Sequence, residues 1–114
     1  TGTLEDFVEK FKTDDMFLLQ AHPFRDGMKL GFENYLDGVE VFNMHPNHNS
    51  RIALAERYAM GNGKIATAGT DYHHIGHDNL CATRAAHLPQ NEHELVSLLK
   101  SGDFIFQVGD RFII

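Results

Sequence analysis

The sequence has little of several things, and each shortage removes a class of protein. It has one cysteine, Cys81. A single thiol excludes an intramolecular disulfide framework and a cysteine-rich zinc finger. It also suits a reducing compartment, so the expected location is the cytoplasm. No apolar segment approaches the roughly 20 residues that a membrane span requires. Basic residues are outnumbered, 10 Lys plus Arg against 16 Asp plus Glu, for a formal net charge of −6. Coating nucleic acid depends on neutralising phosphates with Lys and Arg, so this balance argues against nucleic acid as the partner. It leaves room for a small phosphorylated substrate, because a bound metal would dominate the local field. There is no low-complexity run, internal repeat or linker, and residues 1–114 read as one domain. An initiating Met and a cleavable signal pattern are both missing, which suggests a processed or excised piece of something longer.

What the sequence has in quantity is histidine, eight in 114 residues. Histidine is the commonest metal ligand and the side chain best suited to proton transfer near neutral pH. Three of the eight stand with an aspartate in "GTDYHHIGH", residues 69–77. Abundance alone decides nothing, so the reading turns on where the histidines fall in the fold.

"TGTLEDFVEKFKT" reads as a helix: Thr3 is an N-cap with Asp6 in the capping-box position, and Leu4, Phe7, Val8 and Phe11 repeat at helical spacing. The apolar run at 17–21 has strand length and stops at His22-Pro23. "DGVEVFN" opens with a turn dipeptide and predicts a strand over 38–43. A helix is expected over 50–60, stopped by Gly61 and Gly63, and a strand of small residues over 64–70. Asn91, Glu94 and Gly102 frame a helix over 90–102, and a β-hairpin is expected over 103–114. Helices alternating with strands in this order predict an α/β fold with parallel strands. So few strands make a thin sheet, whose open edge invites homo-oligomer formation unless it is covered.

In parallel βα architectures, functional side chains collect at the C-terminal ends of the strands. The first strand ends at His22. The second carries Glu40 and Asn43, with His45 and His48 just beyond, and the third leads to Asp71 and His73. In an extended segment, residues i and i+2 share a side, so Asp71 and His73 are expected to face one way and Tyr72 and His74 the other. A carboxylate with an imidazole suits Zn²⁺, Mn²⁺ or Fe²⁺. His74 is then the poorer ligand, and His77 is open. His45 and His48 read equally as rim groups or as loop residues that satisfy backbone and cap the next helix. Glu40 within "VEVF" is costly to bury without a partner, so a metal, an arginine or a histidine is expected beside it. Arg25 and Lys29 read either as solvated loop charges or as phosphate-attracting groups above the rim.

"AHPFR" (21–25), "DGVEVFN" (37–43) and "AGTDYHH" (68–74), in this order and spacing, resemble the C-terminal half of the polymerase and histidinol phosphatase (PHP) superfamily of metal-dependent phosphoesterases. The resemblance covers roughly residues 17–75. It implies part of a distorted (β/α)₇ barrel, with two or three divalent ions (Zn, Mn or Fe) at its C-terminal rim. It implies His22, Asp71 and His73 as metal ligands, and Glu40 either as a ligand or as a residue standing behind the ligands. Histidines at the rim, His45 and His48, would then move protons or bind substrate, and Arg25 would hold a phosphate oxygen. The family's opening His-x-His and its middle His and Glu ligands are not in the sequence. The chain is therefore expected to carry part of the site and to be inactive alone, the substrate being a small phosphate ester. The competing expectation is a non-catalytic PHP-like module that binds one ion or none and serves assembly.

Overall fold

The structure is a computed structural model and describes residues 3–29, 33–43, 49–76 and 81–113. Over the described residues it is a mixed α/β fold of three α-helices, one 3-10 turn (Glu33–Tyr35) and two three-stranded sheets. The elements, in chain order, are α1 (Leu4–Phe11), β1 (Leu19–Gln20), β2 (Gly38–Asn43), α2 (Ile52–Gly61), β3 (Ile65–Gly69), β4 (Cys81–Arg84), α3 (Glu92–Ser101), β5 (Ile105–Val108) and β6 (Arg111–Ile113). Among the described residues, no helix is long and apolar enough to cross a membrane.

Local chemistry accounts for most of the element ends. Thr3 Oγ1 accepts from the Asp6 amide and Asp6 Oδ2 from the Thr3 amide, the reciprocal capping box that starts α1. Asn91 caps α3 by accepting from the Glu94 amide, and Gly102 ends it at φ +68°, where a side chain would be strained. The start of α2 departs from the expectation of a helix from residue 50. Its N-cap is Arg51, in the left-handed region with no side-chain capping bond. Ser50, the better capping residue, has its hydroxyl engaged by Arg25 Nη2 at 3.0 Å.

The first sheet is parallel, in the order β1-β2-β3, with Leu19 opposite Gly38 and Val39 opposite Ala66. Its strands are shorter than expected at both flanks, two residues where the apolar run had suggested five, and 65–69 where 64–70 was expected. The pattern could not show this, because Phe17 and Leu18 are apolar whether or not they are laddered. Leu18 is held instead by Asp37, whose Oδ2 accepts from the Leu18 amide at 2.8 Å and from Lys12 Nζ at 3.0 Å. Val39 and Val41 are fully buried beneath Ala55 and Ala59 of α2, and Leu36 closes this core. Two alanines let the helix lie close on the sheet, so the core is thin and tightly packed.

The second sheet is antiparallel, in the order β4-β5-β6, with β5 and β6 joined through Gly109 and Asp110. β4 was not foreseen: "CATR" is too short to show a period, and its partner β5 lies well downstream. Threonine hydroxyls join the two sheets. Thr83 Oγ1 accepts from the Ala68 amide at 3.0 Å and donates to the Ala68 carbonyl at 3.1 Å. Thr70 Oγ1 accepts from the Cys81 amide at 3.1 Å and donates to the Cys81 carbonyl at 2.7 Å. Phe42 against Phe106, with ring centres 4.9 Å apart, packs the same junction.

Candidate functional site

The C-terminal ends of β1, β2 and β3 lie side by side, which is where ligand-binding side chains collect in parallel sheets. A register irregularity in β2 prepares the site. Glu40 pairs with Thr67 but Phe42 with Ala68, so Val41 is an extra residue. In an unbroken strand, residues i and i+3 point to opposite faces. With the extra residue, Glu40 and Asn43 fall opposite Thr67 and Gly69, which are two apart, and their side chains meet at 2.8 Å.

Glu40 Oε2 accepts from Asn43 Nδ2 and also from the His22 backbone amide, at 3.0 Å. Its other oxygen lies over Gly69, where a Cβ would stand 2.7 Å from Oε1. The carboxylate expected to need a metal, an arginine or a histidine side chain is therefore satisfied by an amide side chain and a main-chain N–H. Its work is to hold the turn after β1. That turn is strained: His22 has φ +29°, unusual for a side chain with a Cβ.

Asp71 is the second centre. The stretch 70–73 is not strand, and Asp71 itself lies in the left-handed region at φ +57°. The alternation expected for Asp71 and His73 therefore does not operate. The turn achieves the same meeting by another route: His73 Nδ1 lies 2.8 Å from the Asp71 carbonyl and 3.3 Å from Asp71 Oδ1. His73 remains 58% exposed, and His74 is exposed beside it with ring centres 6.5 Å apart.

Arg25 closes the cluster. Its Nη1 pairs with Asp71 Oδ2 at 2.9 Å, and its Nη2 donates to Asn43 Oδ1 at 2.8 Å and to Ser50 Oγ. Asn43 Nδ2 also reaches Asp71 Oδ2, at 3.3 Å. Arg25 and Asp71 are only 11% and 14% exposed, so Arg25 is not a solvated loop charge; Lys29 is exposed. Burial acts to raise the Asp71 pKa. The hydrogen bonds from Arg25 and Asn43, with the charges of Arg25 and His73, outweigh it and hold the carboxyl below its ordinary value.

Sequence reasoning placed Asn43 at the end of the second strand without assigning it a partner and gave Ser50 no site role, although both are almost fully buried polar residues. The available signal was an asparagine closing an apolar strand, a polar group that must find partners. His45, His48 and His77 lie outside the described residues.

The donors for a divalent ion fit in part. His22 Nδ1 is buried without a hydrogen-bond partner among the described residues, the state of a ring nitrogen that awaits a ligand. Asp71 supplies a carboxylate kept ionised, and His73 an imidazole beside it. Yet among the described residues no three His, Cys, Asp or Glu side chains converge as a metal group. The cluster is a carboxylate kept ionised, flanked by a largely buried arginine on one oxygen and an exposed imidazole near the other.

No family model, no curated protein and no solved structure matches the chain.

Proposed function

We propose that this chain carries part of the metal site of a PHP-like phosphoesterase, which in the intact protein hydrolyses a small phosphate ester. The observation behind this reading is one hydrogen-bonded network uniting His22, Glu40 and Asp71. They come from three neighbouring strand ends and three separate motifs. The fold that goes with it is part of a distorted (β/α)₇ barrel, with β1, β2 and β3 as consecutive staves. A bound Zn, Mn or Fe ion would polarise the phosphoryl group and supply a hydroxide nucleophile near neutral pH.

The protein's own residues have separable roles. His22, Asp71 and His73 are the proposed ion donors. Glu40 fixes the His22 backbone and so the ring's position, and Asn43 holds both carboxylates at one spacing. Arg25 is the group with the geometry for a phosphate oxygen, since its planar fork matches two oxygens at once. His45 and His48 are proposed for proton transfer or substrate contact. The acidic balance disfavours nucleic acid as substrate, and the lone cysteine favours the cytoplasm.

The test is metal content by elemental analysis after loading with Mn²⁺ or Zn²⁺, together with turnover of p-nitrophenyl phosphate. The 114-residue chain should bind metal weakly, lose it when His22 is replaced by Ala, and turn over little substrate. Tight binding of two or three ions per monomer would rule out a partial site. Metal binding unaffected by His22→Ala and Asp71→Asn together would rule out these donors.

A second reading, a non-catalytic assembly module, is favoured by the lack of three converging donors among the described residues and by β1, the outer strand of its sheet. Sedimentation with and without chelator separates the two. Oligomers that ignore chelator, with no turnover, support the module.

A further inference from the structure

Helix α3 meets the earlier half of the chain through its polar side. His93 Nδ1 lies against Asp15 Oδ2, and Lys100 Nζ donates to the Asp14 carbonyl. These two residues are seven apart, so they share one face of the helix. Leu95, Leu98 and Leu99 repeat at the spacing of the opposite face. No residue of α3 is buried. The leucines are turned to a cavity instead of a packed core.

That cavity is about 470 Å³, within the size range of small-molecule sites. It lies between α3 and the segment after β4, walled by Ala86, Leu88, Pro89, Leu95, Leu98 and Leu99. Leu88 is 85% exposed and Leu95 45%, so apolar surface is left to water there. The polar residues of the lining are Thr83, Arg84 and His87. The chain has 16 acids against 10 bases, yet none of the described lining residues is acidic. An adjoining cavity of about 390 Å³ shares Arg84 but includes Asp103, which makes it the poorer place for an anion.

Arg84 is oriented but not used up. Its Nη1 donates to Gln107 Oε1 at 3.2 Å, and its guanidinium lies 5.0 Å from the centre of the Phe112 ring. That one hydrogen bond among the described residues leaves further N–H donors of the planar fork for an acceptor. His87 can add a ring N–H. One fixed cation suits a single negative charge better than a phosphate monoester, which carries nearly two.

We propose that this cavity binds a monoanionic amphiphile, a single-chain carboxylate. Its tail lies along the leucines and its head meets Arg84 and His87. No described residue of the cluster around Asp71 lines the cavity, and no metal is needed.

The experiment is calorimetric titration of the full chain with hexanoate, octanoate and decanoate below their micelle concentrations. Octanol and octylammonium serve for comparison. Affinity should rise about fourfold per added methylene, the increment for burying a CH₂ group. Octanol should bind at least about fivefold more weakly than octanoate, having lost the charge-assisted bond. Octylammonium should bind more weakly still. Arg84→Gln should bring octanoate down to the level of octanol. Leu95→Asp sets a carboxylate in the lining and should weaken decanoate at least about tenfold. Circular dichroism monitors folding. Should Leu95→Asp not fold, Leu88→Asp, at the more exposed position, decides by the same criteria.

No decanoate binding at millimolar concentration overturns the proposal, as does an affinity that ignores chain length. Equal affinity for octanoate and octanol overturns the choice of an anion. Decanoate affinity unchanged in the folded aspartate variant overturns the location. Two other occupants have their own signatures. A dimer in sedimentation that Leu95→Asp dissociates, with no decanoate binding, would assign the face to a second copy. Flotation with phosphatidylserine vesicles, with no decanoate binding, would assign it to a membrane surface. Either result overturns the proposal.

Discussion

The side-chain amide of Asn43 stands between two carboxylates and an arginine. Its Nδ2 donates to Glu40 Oε2 at 2.8 Å and to Asp71 Oδ2 at 3.3 Å, while its Oδ1 accepts from Arg25 at 2.8 Å. A side-chain amide presents both polarities on one small planar group, whatever the pH. Asn43→Asp keeps the shape and the bond from Arg25, but turns two donated bonds into contacts between like charges. The residue is 3% exposed, so water cannot screen them. The variant should be less stable by about 2–4 kcal/mol in urea unfolding, the range for a buried network left with unpaired charge. A midpoint equal to that of the parent would remove Asn43 from the centre of the site.

Gly69 is required by contact rather than by conformation. A Cβ there would stand 2.7 Å from Glu40 Oε1, so Gly69→Ala obliges the end of the Glu40 side chain to shift and loosens its hold on its partners. The expected cost is about 1 kcal/mol, the low end of overpacking, because the clash is with the end of a flexible side chain. The diagnostic is local: the His22 amide, bonded to Glu40 at 3.0 Å, should lose protection from hydrogen exchange before the β2–β3 ladder does.

Asp37 makes acid stability measurable. Burial acts to raise its pKa, but the Leu18 amide, the Lys12 hydrogen bond and the charges of Lys12 and Lys100 prevail and bring it below the ordinary carboxylate value. The folded state thus prefers the ionised form. Its contribution is complete above the unfolded pKa of about 4, and is lost as pH falls through the lower folded value. Asp37→Asn should lower stability at pH 7 and flatten this acid-side loss in melts recorded from pH 6 downward. An unchanged pH profile would contradict the assignment.

Cys81 should be unreactive in the native chain. Burial pushes its thiol pKa up and the Glu40 charge adds to this, while Sγ donates to the Phe42 carbonyl at 3.3 Å. Since the thiolate is the reacting form, iodoacetamide at pH 7.5 should label the native protein at least about tenfold more slowly than the urea-unfolded chain.

Features legible in the sequence were those encoded by near neighbours. The Thr3–Asp6 box, the Asn91 cap, the Gly102 stop and the strand at 38–43 each rest on residues within one element, and each stands where the spacing placed it. The gathering of His22, Glu40 and Asp71 followed from strand ends in a parallel sheet. Partner choice was not legible. Arg25 with Asp71, Arg25 with Ser50 and Glu40 with the His22 amide are settled by tertiary approach, on which local pattern is silent. The Asp71 turn was misjudged because alternation assumes an extended chain, and a left-handed aspartate ends it.

The threonine bonds between β3 and β4 bear on how the molecule comes apart. Among the described residues, side-chain hydroxyls, the Cys81 thiol and ring packing join the two sheets, with no ladder of main-chain pairs crossing between them. Such a seam is the natural boundary between two cooperative opening units, or foldons. Every residue of the described network, from His22 to His73, lies on the earlier side of it. Fluctuations that release β4, α3, β5 and β6 would leave the network's own bonds unbroken, so the cluster of polar side chains can outlast an opening of the later half.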